Sequence, residues 1–286
     1  MSKASKSNIA LICAVCLVGC CLCGFSGEVS AEPALVSDDA VEVYVDGILT
    51  SSCVVIGGKA YMTPEDFCAA LKMSCNVLAP EERQSRRLEL GGVRVAVSAD
   101  GKYMTAVDRY FYLSGGAREI GGGYALPVGE LSRVFGARTV WDSENGSLDI
   151  DTTSVRALQS GDSYYAEEDV YWLSRIINAE SGNQSLEGMM GVGNVVMNRV
   201  DNPSCPDTVY DVIFDTRYGV QFSPVETGGI YAEPNEQSVI AAKLCLEGYN
   251  VVGDSLYFVN PETGSTAWFR KTRTFVVTWG DHDFYA

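Results

Sequence analysis

Two rhythms of apolar and polar residues divide the chain. From Val41 to Asp151 the apolar residues come in short alternating runs broken by glycine turns, the period of half-buried strands. Val41-Glu42-Val43-Tyr44-Val45 alternates and Asp46-Gly47 reverses it, a two-residue hairpin signal. Gly57-Gly58 leads into Ala60-Tyr61-Met62, and Pro64-Glu65-Asp66 then opens a helix to Leu71, because proline and acids suit a first helical turn. The order recurs in Gly121-Gly122-Gly123, Tyr124–Pro127, a helix Val128–Phe135 stopped by Gly136, and strands Arg138–Trp141 and Ser147–Ile150. A small strand-rich α+β domain is expected over residues 42–152, with a strand–turn–helix unit used twice. Residues 153–168 are polar without an apolar period and read as a linker.

Beyond residue 168 the period turns helical. Asp169 is placed to cap a helix Val170–Glu180 with Leu173, Ile176 and Ile177 on one stripe, and Ser185 to cap Leu186–Val200. Gly191-Val192-Gly193 lies inside the second helix. No strand precedes it, so it is no dinucleotide fingerprint, and its glycines suit close approach of another helix. Asp207–Phe214 and Pro234–Glu247 read as further helices, the latter with proline in its first turn and Gly248 as its stop; Ser255–Asn260 and Thr274–Trp279 alternate like strands. Helices first and a small sheet late imply an α+β domain over residues 169–286.

Charge narrows the partners. The chain carries 37 Asp and Glu against 21 Lys and Arg, a net charge of −16, which argues against nucleic acid and anionic membrane surfaces. A single histidine excludes metal sites built on several imidazoles, and neither metal nor cofactor is expected. Lys3 and Lys6 precede the uncharged run Ile9–Phe25, which gives way to Val29-Ser30-Ala31, the layout of an export signal. Cleavage after Ala31, lipidation of Cys20 within Leu17-Val18-Gly19-Cys20, and retention as an anchor all stay open; each places the folded part outside the cytoplasm. Five of the ten cysteines fall in that run; Cys68 with Cys75, and Cys205 with Cys245, are the pairs that export would allow to bridge, with buried free thiols as the alternative.

Glu180 lies three, four and seven residues past Ile177, Ile176 and Leu173, which puts a carboxylate on the core-facing stripe. Desolvation there would favour its protonated form, a proton donor for a glycosidic oxygen. Periodicity alone does not separate this from a solvated glutamate at a helix end. Trp172–Glu180, Glu187-Gly188, Val192–Val200, Val209–Ile213, Gln221–Val225, Pro234–Glu236, Leu256–Pro261 and Gly280-Asp281-His282 together resemble the cell wall hydrolases typified by spore cortex-lytic enzymes of the SleB type. The resemblance implies a lysozyme- and transglycosylase-like fold, cleavage of peptidoglycan glycan strands, Glu180 as the catalytic acid, and Gln221, Phe222, Ser223, Tyr257 and Asn260 as substrate contacts. Residues 42–152 resemble the copper amine oxidase N-terminal-like domain through GGKAYMTPEDFCAAL and GGYALPVGELSRVFGARTVWD; this implies a wall-anchoring or spacer module, and no copper.

Gln184 stands where many relatives carry a second glutamate. Four other acids, Glu187, Glu226, Asp254 and Asp281, are candidate partners for a two-carboxylate hydrolase, and no sequence feature selects one. A lytic transglycosylase needs only one acid, and the resemblance favours that route, with 1,6-anhydro products. Two rivals remain: a wall-binding protein without catalysis, and a Cys–His peptidase or amidase using Cys205 or Cys245 with His282.

Overall fold

In the computed structural model the described residues are 40–79, 84–153, 155–262 and 266–286; the expected export signal and the Cys20 lipobox lie outside them. Strands β1 (Val41–Val45) and β2 (Ile48–Ile56) form the expected hairpin. Asp46 and Gly47 sit at φ 52° and 77°, the left-handed conformation such a turn requires. Next come β3 (Lys59–Met62) and helix α1 (Pro64–Ala70), whose Thr63 cap accepts the Asp66 N–H.

A second sheet, for which no individual strands are assigned from sequence, fills much of the interval between Leu71 and Gly121. Strands β4 (Cys75–Leu78), β5 (Gln84–Leu90), β6 (Val93–Ser98), β7 (Tyr103–Ala106) and β8 (Arg109–Tyr112) run antiparallel in sequence order. Strands β9 (Arg118–Ile120) and β10 (Gly123–Pro127), helix α2 (Val128–Val134), and strands β11 (Arg138–Asp142) and β12 (Ser147–Asp151) return to the first sheet, ordered β11-β12-β1-β2-β3-β10-β9. The repeated strand–turn–helix units meet there, because β3 and β10 pair antiparallel with Met62 opposite Leu126. Phe67, Leu88, Val97, Leu131 and Ile150 form a core shared by both sheets and both helices.

The polar stretch after β12 contains a short helix α3 (Gly161–Tyr164). Gly161 is seated against the β7–β8 turn: its N–H donates to the Val107 carbonyl at 2.9 Å, and a Cβ there would stand 2.1 Å from the Asp108 carbonyl oxygen.

Helices α4 (Glu167–Ser181), α5 (Leu186–Val200) and α8 (Glu236–Leu246) pack against one another around Ile176, Ile177, Val192, Val196, Ala241 and Leu244. Between them lie α6 (Val209–Ile213) and α7 (Ser223–Thr227). Strand β13 (Tyr257–Val259), helix α9 (Thr266–Thr272), and strands β14 (Phe275–Trp279) and β15 (His282–Tyr285) follow, with β15 central in a three-stranded sheet.

Three helix starts differ from expectation. Asp169 is no cap: α4 begins two residues earlier, with Glu167, Glu168 and Asp169 all in its first turn, where carboxylates favour the positive helix end. Helix α6 starts at Val209 rather than Asp207, and Thr208 caps it by accepting the Asp211 N–H. Pro234 precedes α8, and Asn235 caps it through the Ser238 N–H. The helix glycines do serve close packing. A Cβ on Gly193 would lie 2.8 Å from both Ile177 Cδ1 of α4 and Cys245 Sγ of α8, and one on Gly191 would lie 2.5 Å from Phe284 Cζ. Gly191→Ala is therefore expected to cost about 1–3 kcal/mol through overpacking. A lower urea midpoint at unchanged slope would register it; an unchanged midpoint would mean that the Phe284 ring yields freely.

Candidate active site

The stripe reading of α4 holds. Leu173, Ile176 and Ile177 are fully buried, and Glu180, one turn on, is half-buried at the helix end. Burial raises its carboxyl to a pKa of about 6. The backbone around it is pinned from several sides. Ser181 Oγ donates to the Ile177 carbonyl at 2.9 Å, Asn178 Oδ1 accepts the Asn235 N–H at 3.0 Å, and Asn235 Nδ2 donates to the Gly182 carbonyl at 2.8 Å. The cap of α8 thus also fixes the turn that carries Glu180.

Glu180 opens into a cleft of about 430 Å³. Gln221, Phe222, Ser223 and Tyr257 line the same cleft, so residues some 40–80 positions from Glu180 in sequence come together around it. Asn260 is not among the lining residues; its Oδ1 accepts the Glu262 N–H at 2.9 Å in the turn after β13. Phe222 is buried and sets the wall, its ring 6.3 Å from that of Phe258, while Gln221 Nε2 donates to the Gly219 carbonyl at 2.9 Å. Tyr257 is flanked by Phe269 of α9 at 6.2 Å and by the Arg273 guanidinium at 4.7 Å.

Arg199, at the end of α5, was not singled out from sequence. Its guanidinium lies 5.2 Å from the Phe222 ring centre and 5.7 Å from that of Tyr257, and its Nε donates to the Leu256 carbonyl at 2.9 Å. Burial lowers its pKa, yet arginine keeps its charge, so the cleft holds a fixed cation against aromatic faces.

Of the four candidate second carboxylates, Glu226 of α7 is the one that lines this cleft. Glu187 points to the N-terminal half, accepting from Lys102 Nζ at 2.7 Å and Tyr112 OH at 3.2 Å. Burial would raise its pKa, but these donors and its own N–H lower it overall. Asp281 is taken by Gln184, whose Nε2 donates to Asp281 Oδ2 at 2.7 Å and whose Oε1 accepts the Asp281 N–H at 3.0 Å. A glutamate at position 184 could not donate to that carboxylate, so the amide fits its neighbour. The structure places Asp254 in the turn before β13 and gives it no part in the cleft.

The alternative that uses Cys245 gains nothing from the geometry. Cys245 is buried against Asn194 and the Met190 carbonyl, and burial pushes its thiol well up. All five described cysteines are free, so neither Cys68 with Cys75 nor Cys205 with Cys245 is bridged, and the free-thiol alternative is the one seen. His282 is buried edge-on to Phe258 at 5.0 Å, and burial lowers its pKa more than Asp281 raises it. Among the described residues no group of three or more His, Cys, Asp and Glu gathers as a metal site.

Residues 183–285 match the family described as Cell Wall Hydrolase, a match that begins three positions after Glu180. The spore cortex-lytic enzyme of Oceanobacillus iheyensis is 32% identical over 120 residues, 42% of this chain and 42% of that protein. That of Bacillus cereus is 33% identical over 120 residues, 42% of this chain and 45% of that protein. The chain thus spans less than half the length of these curated relatives. The solved catalytic domain of the Bacillus cereus SleB protein is 33% identical, with 43% of this chain and 92% of that chain covered and a TM-score of 0.39.

Proposed function

We infer that this chain, which belongs to the cell wall hydrolase family through its C-terminal residues, cleaves the glycan strands of peptidoglycan with Glu180 as proton donor. The observation that carries this reading is a half-buried carboxyl, with a pKa raised to about 6, opening on a cleft walled by aromatic, amide and hydroxyl groups. Saccharides present apolar ring faces and many hydroxyls, and such a lining answers both. The matched relatives are spore cortex-lytic enzymes, which supports a wall or cortex glycan as substrate.

In the reaction the protonated Glu180 gives its proton to the glycosidic oxygen as the bond from the sugar's anomeric carbon to that oxygen breaks. Positive charge develops at the anomeric carbon. In the transglycosylase route the Glu180 carboxylate then takes the proton of the same sugar's 6-hydroxyl, whose oxygen closes onto the anomeric carbon as a 1,6-anhydro ring. The acid is regenerated and no water is consumed. Glu226 on the same cleft supports a second route, in which a second carboxylate assists attack by water or attacks the sugar itself. Mass spectrometry of fragments released from purified sacculi separates the two, since anhydro ends are one water lighter than reducing ends. Release of neither product would leave a glycan-binding protein without catalysis.

Because the acid must be protonated at the start, the rate per bound substrate is expected to fall as pH rises through about 6. A rate flat from pH 5 to 8 would assign the proton transfer to another group. Stability should follow the same group. A carboxyl raised above its unfolded value binds more protons when folded, so its contribution declines from the unfolded pKa up to about 6 and is level above that.

Export and contact with the wall through the N-terminal strand-rich half complete the reading. The basic and apolar start of the chain supports export, and the copper amine oxidase N-terminal-like resemblance over residues 42–152 supports anchoring. Fractionation of producing cells, with mass analysis of the mature N-terminus, distinguishes cleavage after Ala31 from lipidation at Cys20.

A further inference from the structure

The cleft does not end at Tyr257. A second hollow of about 460 Å³ adjoins it, and Arg199, Gln221 and Tyr257 line both. Its remaining wall includes Arg217 and Tyr218, from the loop before α7, and Trp268 of α9. Tyr218 is 88% exposed and Trp268 is 52% exposed, although both are large and apolar. Helix α9 has no buried residue at all, so Trp268 is not held there by a core. Large aromatic rings left in solvent beside a polar cleft mark an interaction surface.

The loop that presents Tyr218 is braced. Arg217 donates from Nε and Nη2 to Asp215, both at 3.0 Å, and its backbone N–H donates to Asp215 Oδ1 at 2.9 Å. The Arg273 guanidinium stands 5.3 Å from the Trp268 ring centre. Arg199 lines the same hollow, and its Nε is occupied by the Leu256 carbonyl. A guanidinium has five N–H donors, so Arg199 retains capacity toward ligand oxygens.

We propose that this hollow is a further saccharide subsite, in which Trp268 and Tyr218 stack on ring faces of the glycan beyond the bond that Glu180 attacks. Arg199 supplies donors to hydroxyl or acetamido carbonyl oxygens at the junction. The proposal rests on the glycan reading and deepens it: the enzyme is selective for strand length. Short fragments fill the Glu180 cleft alone, whereas longer ones also engage the aromatic pair.

The test uses the full chain carrying Glu180→Gln, to prevent turnover, with disaccharide-peptide and tetrasaccharide-peptide fragments of purified peptidoglycan as probes in calorimetric titrations. Adding Trp268→Ala or Tyr218→Ala, both at exposed positions, is expected to weaken tetrasaccharide binding by about tenfold, the size of one aromatic contact. Disaccharide binding should stay unchanged. If the parent binds neither fragment, the glycan reading falls and the subsite with it. If the parent binds and both variants lose affinity equally for the two lengths, or for neither, the subsite alone is overturned. Circular dichroism of the two variants, which alter separate segments, identifies any loss caused by misfolding.

Discussion

Glu180→Gln is expected to abolish glycan cleavage while leaving the fold intact. General acid catalysis is worth about 10²–10⁴-fold, and in the transglycosylase route the same group also serves as the base, so the loss should reach or exceed that range. The amide matches the carboxyl in shape, and the pins on the surrounding turn run through Asn178, Ser181 and Asn235, which the substitution does not touch. Removing a carboxylate whose ionised form is disfavoured by burial should also make the variant more stable than its parent at pH 7. Turbidity of a sacculus suspension reads the first effect and thermal denaturation the second. Substantial activity in this variant would remove Glu180 from the mechanism and transfer the acid role to Glu226, the other carboxylate of the cleft.

The second large effect is expected among residues that do not line the cleft, where the two halves of the chain meet. Glu247, past the end of α8, has a fully buried side chain. Arg109 of β8 grips it with two hydrogen bonds, Nε to Oε1 at 2.7 Å and Nη2 to Oε2 at 2.5 Å, and Tyr165 OH donates to Oε1 at 2.7 Å. The Glu247 hydrogen bond, against the opposing effect of burial, raises the Arg109 pKa. The guanidinium also lies 3.4 Å from the Tyr164 ring centre. Nearby, Tyr249 OH donates to Glu130, and Arg133 stands 4.7 Å from the Tyr249 ring centre. Arg109→Met would leave the Glu247 charge buried with much of its compensation gone, a loss of about 3–5 kcal/mol. At ~2–4 °C per kcal/mol for a chain of this size, the midpoint should drop by roughly 6–20 °C. Arg109→Met with Glu247→Leu should recover a large part, because a buried pair contributes far less than the penalty for halving it. A single variant that melts with its parent would show that the interface opens to water and solvates the carboxylate.

Much of this architecture could be read in the residues. Asp46-Gly47 demanded a primed turn, and the stripe ending at Glu180 placed a carboxylate against the core before any tertiary contact was known. The cleft lining followed from resemblance rather than periodicity, since nothing local joins Gln221 to Tyr257. Arg199 stayed hidden because its role exists only once Phe222 and Tyr257 pack over it. The choice among four acids was equally out of reach: Glu187 is claimed by Lys102, 85 positions away, and Asp281 by Gln184, 97 positions away. The sheet β4–β8 was different, because Leu88 and Leu90, then Val93, Val95 and Val97, alternate plainly around Gly91-Gly92. Helix starts differ by two or three residues because successive polar candidates compete for the cap, and three acids at the head of α4 favour inclusion in its first turn over capping it.

The seating of Gly161 and Tyr165 bears on how such an enzyme would work on a surface. A free 16-residue connector behaves as a tether with a mean reach of roughly 20–24 Å, letting the cutting half sweep an area around its point of attachment. Here the connector is stitched on both sides, by Gly161 to the Val107 carbonyl and by Tyr165 to both the Tyr110 N–H and Glu247. That leaves no slack to sweep with. A molecule attached through its first half would present its cleft at one fixed height and heading, and would cut only strands lying along that heading. It would advance by letting go and landing again, and its yield on a flat sacculus would depend on how the strands are laid.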